Sequence, residues 1–302
     1  MGRGLLLTVL AALALPASAL AWGGTYPTGD SLGTSIRIEV SDAYPVDQTL
    51  PQKWAAFFGT LVHGSELSSL TLRLAPMDDV ARTCGSQALA CYDPSSSTIV
   101  TSPEDELDEP PAQEVVTHEY GHHIANHRSD APWTAEDWGT KRWATYEHIC
   151  SRALAGTASP GNEGGDYRRN PGEAFAEAYR VLNLTQEGAT SIGWDIVDRS
   201  FYPDAKALSL LEQDIVSPWT GPTTTHAPNA RVLRVATPLD GAFTARLRAP
   251  DTAKLRLVLH AGSRIVARGF RSVSYDVCGA RTLTLRVLGG AHVRYTVDVS
   301  KP

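Results

Sequence analysis

The sequence predicts an α+β protein in two folded parts: a mixed sheet with helices over residues 22–217, then a small antiparallel β-sandwich over residues 230–302. Three observations predict it. SIRIEV at Ser35–Val40 alternates apolar and polar residues as a strand does, while QKWAAFFGTLVHG, from Gln52 to Gly64, sets Trp54, Phe57, Phe58, Leu61 and Val62 on one side of a helix. Two later stretches, QEVVTHEYGHHIANH and NPGEAFAEAYRVL, read as helices that carry ionisable residues one turn apart. From Ala230 the texture changes to short period-two segments, RVLRVA, AFTARLR, KLRLVLH, TLTLRVL and HVRYTVDVS, divided by Gly and Asp turns, which is the pattern of a sandwich.

The N-terminus, MGRGLLLTVLAALALPASALA, has a basic residue, an apolar run from Leu5 to Leu15 and small residues ending at Ala21. This is the pattern of a signal peptide over residues 1–21, cut before Trp22. Pro16 interrupts the run, which is short for a membrane span, and no Cys follows it to take a lipid. With no later stretch long enough to cross a bilayer, the mature chain is expected to be secreted and extracellular. Its 302 residues, 42% hydrophobic, suffice to fill two cores.

After SIRIEV and the Gln52–Gly64 helix, LSSLTLRLAP supplies a second strand through Leu70, Leu72 and Leu74. Cys91–Ser102 reads as two short strands around a turn at Asp93-Pro94. This strand-helix-strand order resembles that of zincin metallopeptidases, whose edge strand pairs with an extended substrate, and the resemblance implies Thr98–Thr101 as that edge.

Gln113–His127 contains His118, Glu119 and His122 as H-E-x-x-H. Residues four apart on a helix lie nearly over one another, so both imidazoles can reach one metal ion, with Glu119 beside it as a general base for a bound water. Pro110 and Pro111 mark the helix start, and Val115, Val116, Ile124 and Ala125 supply apolar positions at helical spacing. Two histidines at this spacing can also be ordinary surface residues, so the motif needs a partner elsewhere.

Thr140–Leu154 reads as a helix, and the Gly- and Ser-rich AGTASPGNEGGDYRRN after it is either a lid or a surface connection. In the following NPGEAFAEAYRVL, Asn170 suits the N-cap and Pro171 the first helical position. Glu173 and Glu177 share one face among Ala and Phe neighbours, which points them inward. Glu173 is the candidate third ligand, and Glu177, one turn deeper, a hydrogen-bond partner for a ligand histidine. Ser200–Val216 is helical, and residues 218–229, with PWTGPTTTHAP, form a Pro/Thr-rich linker.

The four cysteines suit an oxidising compartment. Their sequence allows three pairings; in one, Cys84 and Cys91 bridge the short loop that they flank, and Cys150 and Cys278 would then join the two halves, while zinc ligation by cysteine lacks a C-x-x-C spacing. The net charge of -6 is unevenly spread: from Ala230 onward 13 Lys/Arg stand against 4 Asp/Glu, a net of +9, and the rest of the chain has 14 against 29, a net of -15. Nothing here suggests nucleic acid. The basic C-terminal part can meet an anionic surface, a cell-wall polymer or the acidic half of its own chain.

His118-Glu119-Tyr120-Gly121-His122 and the later Glu173-Ala174-Phe175-Ala176-Glu177-Ala178-Tyr179 together resemble the gluzincin branch of the zincin-like metallopeptidases, in particular the anthrax lethal factor and Pro-Pro endopeptidase group with its HExGH and EFFAEAF-like motifs. A metzincin fits worse, because Ala125 and Arg128 stand where that branch needs Gly and a further ligand. The resemblance spans Val115–Leu182 and implies a zincin-like fold, one catalytic Zn2+ on His118, His122 and Glu173, a protein or peptide substrate, and a tyrosine that steadies the oxyanion. That tyrosine would be Tyr167, although its spacing to Glu173 is one residue shorter than in the group; His123 and His127 are the alternatives. The upstream strand order also matches the group, and because those strands belong to the sheet no separate inhibitory propeptide is expected. The tail resembles the prepeptidase C-terminal type of β-sandwich. Two other functions suit the same residues: a zinc amidase acting on cell-wall peptide, and a non-catalytic wall- or sugar-binding protein with a vestigial metal site. The intact Glu119 disfavours the second, since a dead site has no need of its base.

Overall fold

The computed structural model describes residues 21–103, 110–290 and 293–302. The expected signal peptide, but for Ala21, lies outside the described residues. The chain is α+β, and two separate apolar cores form, one before residue 216 and one after residue 242.

The N-terminal half is built on a five-stranded mixed sheet of β1 (Trp22–Pro27), β2 (Ser35–Val40), β3 (Thr71–Leu74), β4 (Ala90–Asp93) and β5 (Thr98–Thr101). Its order is β1-β2-β3-β5-β4, with β2, β3 and β5 parallel and the two outer strands antiparallel. Ile36, Ile38, Val40, Leu72, Leu74 and Ile99 point into one core with Trp54 and Phe58 of helix α1 (Thr49–Thr60). Helix α2 (Met77–Cys84) connects β3 to β4. The expected edge is corrected here: β5 bonds to β3 on one side and β4 on the other, so β4 is the outer strand. The β4/β5 hairpin could have docked on the sheet through either arm, and the more apolar TIVT, nearly all buried, took the inner place.

Helix α3 (Ala112–Asn126) crosses this core through Val116, Tyr120 and Ile124. A two-stranded ribbon, β6 (Ser129–Asp130) with β7 (Trp133–Thr134), and the short α4 (Ala135–Trp138) follow. The single helix expected over 140–154 is broken into α5 (Lys141–Tyr146) and α6 (Ile149–Leu154), with His148 in the left-handed region at φ 57. A straight helix would set Ile149 about 240° around from Trp143. The break lets both be fully buried. Helix α7 (Pro171–Gln186) is buried from Pro171 to Asn183 between α3, α4 and α8 (Ala205–Val216). Pro203 and the Asp204 N-cap start α8 later than the sequence suggested.

The C-terminal half holds β8 (Thr223–Pro228), β9 (Val232–Thr237), β10 (Gly241–Arg248), β11 (Arg256–Ala261), β12 (Arg264–Gly269), β13 (Ser272–Val277), β14 (Arg281–Leu288) and β15 (Thr296–Lys301). They form two four-stranded antiparallel sheets, β13-β10-β15-β8 and β12-β11-β14-β9, with Phe243, Leu257, Leu259, Leu283, Leu285 and Val297 between them. Part of the expected linker is thus a strand: the β-branched run Thr223–Thr225 fits a pleated edge, and Pro228 ends it where a missing N–H breaks no ladder.

Covalent and polar ties join the halves, among them the Asp240 N–H donated to Thr145 Oγ1 at 3.0 Å. Cys150 of α6 is bonded to Cys278 after β13. The fully buried Lys141 Nζ pairs with Asp130 Oδ1 at 2.6 Å and donates to the carbonyl oxygens of Ala131 (2.9 Å) and Asp240 (3.0 Å), the last from the C-terminal half. The other disulfide closes Cys84 onto Cys91. Among the described residues no helix is long and apolar enough to cross a membrane.

Candidate metal centre

The centre lies where α3 crosses α7. Asn170 caps α7 by accepting from the Gly172 N–H at 3.0 Å, and Pro171 fixes the first turn, so the first carboxylate of the helix, Glu173, is held at a defined end. Close approach of the two helices depends on Gly121. A Cβ there would lie 2.7 Å from Ala176 Cα, which only a glycine avoids. The small residues of HEYGH and EAFAEA are therefore a packing device as much as a motif.

That crossing brings His118, His122 and Glu173 together, with one ligand atom from each lying within 4.8 Å of the others. His118 Nε2 is 3.3 Å from Glu173 Oε2 and His122 Nε2 is 3.4 Å from Glu173 Oε1. Two imidazole nitrogens and one carboxylate, converging from two buried helices, can hold a metal ion and match the donor preference of a borderline divalent cation. The titration of the three groups reflects their mutual pairing. Burial disfavours charge on His118, yet Glu173 and Glu177 outweigh it and push the imidazole up to about 10. Burial opposes His122 too, and Glu173 again raises it. Burial alone would raise Glu173; His122 and His118 hold it instead well below the usual carboxylate range.

Glu177 Oε2 lies 3.1 Å from His118 Nδ1, accepting its N–H and leaving Nε2 free to face the cluster. Arg180 then fixes Glu177 through two bonds, Nε to Oε2 at 3.1 Å and Nη2 to Oε1 at 2.6 Å, and reaches Glu114 of α3 at 2.7 Å. Arg180 was not singled out in the sequence. Its position three residues after Glu177 on one helix was the available signal.

Tyr167 sits in a single 3-10 turn before α7 and donates its hydroxyl to Glu173 Oε2 at 2.6 Å. Burial first, then the Glu173 carboxylate, raise it well above the ordinary phenol range, so it stays a donor. Glu119 is half-buried and faces a cleft of about 880 Å3 that His118, Tyr167, Glu177 and Arg180 also line. The alternatives His123 and His127 do not enter this cleft. They lie on the other side of α3, where His123 contacts the Glu66 carbonyl and Tyr92 and His127 contacts Ser69.

No family model and no curated protein matches the chain. Among solved structures, one titled "IMPa metallopeptidase in complex with T-antigen" aligns at a TM-score of 0.19 and 9% identity, over 53% of this chain and 23% of that one. At that TM-score the likeness shows neither a shared fold nor a shared activity.

Proposed function

We propose that this chain is a secreted zinc endopeptidase of the gluzincin type. The observation that carries the reading is the convergence of His118, His122 and Glu173 from two helices, with Glu119 beside them on an open cleft. Zn2+ bound by these three residues would supply a Lewis acid that brings the pKa of a water towards 7. The remaining chemistry belongs to side chains. Glu119 takes the proton of the attacking water on its carboxylate and passes it to the leaving amine nitrogen. Tyr167, turned from Glu173 towards the cleft, donates its hydroxyl to the substrate carbonyl oxygen as negative charge develops there. Glu177 and Arg180 hold the His118 ring in one tautomer. Ala90, the first residue of the outer strand β4, lines the cleft, so an extended peptide can pair along β4 and pass Glu119. The two disulfides and the N-terminal pattern support an extracellular setting.

The test is zinc content and peptide hydrolysis of the purified chain beside Glu173→Ala, with a peptidoglycan digest run in parallel. The reading expects one zinc and hydrolysis of the protein mixture, both lost in Glu173→Ala. Full zinc retention in that variant would overturn the ligand set. Cleavage of peptidoglycan alone would replace the endopeptidase with the amidase.

A further inference from the structure

The positive charge of the C-terminal half is concentrated on one of its two sheets. Strands β9, β11, β12 and β14 read VLRVAT, RLVLHA, RIVARG and RTLTLRVL, and none holds an acidic residue. Because Leu257, Leu259, Leu283, Leu285 and Val287 fill the core, the alternate residues lie on the outer face, where Val258 is nevertheless covered. Strand pairing sets them in rows: Arg268, Val258, Arg286 and Val232 in one, Ile265, His260, Thr284 and Arg234 in the next, with Arg256 opposite Leu288 before them. Sheet spacing separates neighbouring arginines in this array by roughly 8–10 Å.

Two further features distinguish this face. Among the described residues, Arg234, Arg256, Arg268 and Arg286 form no ion pair, whereas on the opposite sheet Asp298 engages both His226 and Arg248. Among the described residues no carboxylate of the N-terminal half pairs with them. Large apolar side chains also stand in solvent among these cations: Phe270 at 71% exposure, Val232 at 54%, Leu288 at 44% and Ile265 at 38%. The Arg256 guanidinium lies 5.7 Å from the centre of the Phe270 ring.

We propose that this face docks on an anionic lipid bilayer, with the arginines on headgroup phosphates and Phe270, Leu288, Val232 and Ile265 entering the interfacial layer. Charge complementarity requires a polyanion. A soluble polyanion would satisfy the arginines and leave the four apolar side chains in water, whereas a bilayer interface takes both. The face is also a sheet exterior rather than a groove, which suits a flat partner. This inference does not depend on the metal centre.

The experiment is co-sedimentation of the full chain with vesicles of equimolar phosphatidylglycerol and phosphatidylcholine, beside vesicles of phosphatidylcholine alone. Binding is expected to the anionic vesicles only, and to weaken with added salt. Each arginine near such a surface is worth about fivefold in affinity, so Arg234→Gln with Arg286→Gln should weaken binding about 25-fold. Phe270→Ser with Leu288→Ser should weaken it severalfold while leaving retention on heparin unchanged. Equal binding to neutral vesicles, no binding to either, or no response to the arginine pair would each overturn the proposal. So would loss through the arginines with no effect of the apolar pair, since that marks a soluble polyanion as the partner. The salt titration of the unaltered chain tests the electrostatic part without any variant.

Discussion

Helix α3 and its C-cap residue carry two pairs of histidines at the same one-turn spacing, His118 with His122 and His123 with His127, and the two sides of the helix have made them different things. The first pair faces α7, where Glu173 raises both imidazoles against burial and Glu177 adds to the rise of His118. The second faces the segment before β3 and the outer strand β4. There His123 Nε2 must carry its proton, because its partner is the Glu66 carbonyl at 3.0 Å, and Nδ1 then accepts from Tyr92 at 3.1 Å. Burial lowers His123 to about 4, so it is a neutral ring with both nitrogens occupied. Spacing on one helix permits a metal site. A carboxylate from a second helix is what completes a set that could hold an ion.

The sharpest way to break this comparison is Glu119→Gln, which removes the base and keeps the ligands. Peptide hydrolysis should fall about 10^3-fold with zinc content unchanged, measured as kcat beside metal analysis. Glu177→Ala should weaken zinc about 10- to 100-fold, read by competition with a chelator, because His118 loses the partner that fixes its tautomer. Gly121→Ala tests whether the helix crossing or the side chains set the site. Its new Cβ would press on Ala176, so it should cost about 1–3 kcal/mol in denaturant unfolding and loosen zinc binding together. On the other side, His123→Leu removes one of two hydrogen bonds at the Glu66 carbonyl and at the Tyr92 hydroxyl, which keep Ser69 and Asn126. It should cost about 1–3 kcal/mol in the same unfolding assay and leave zinc content as it was. Loss of zinc in His123→Leu would erase the distinction between the two sides.

Much of the site was legible because its signals are local. H-E-x-x-H, the Asn170-Pro171 helix start and the Glu173/Glu177 pair each fit within one or two turns of helix. What the sequence does not encode locally is the meeting of distant segments. The apolar pair Ile99 and Val100 favours Thr98–Thr101 for the inner place, but only its pairing with β3 on one side and β4 on the other shows that it is not the edge. The break at His148 arises because Trp143 and Ile149 must both reach one core, and the strand at Thr223–Pro228 exists because β15 offers it an edge. Lys141 looked like any lysine at a helix start, and its burial follows from the carbonyl oxygens that the other half brings to it.

The bond between Cys150 and Cys278 changes what a cut in the connecting segment can achieve. Scission between α8 and β8 would sever the only stretch of backbone running from one half to the other. The fragments would nevertheless remain one molecule, shackled through α6, and would part on a denaturing gel only after treatment with a thiol reductant. A clipped copy would keep its cleft and its arginine-studded exterior on the same particle.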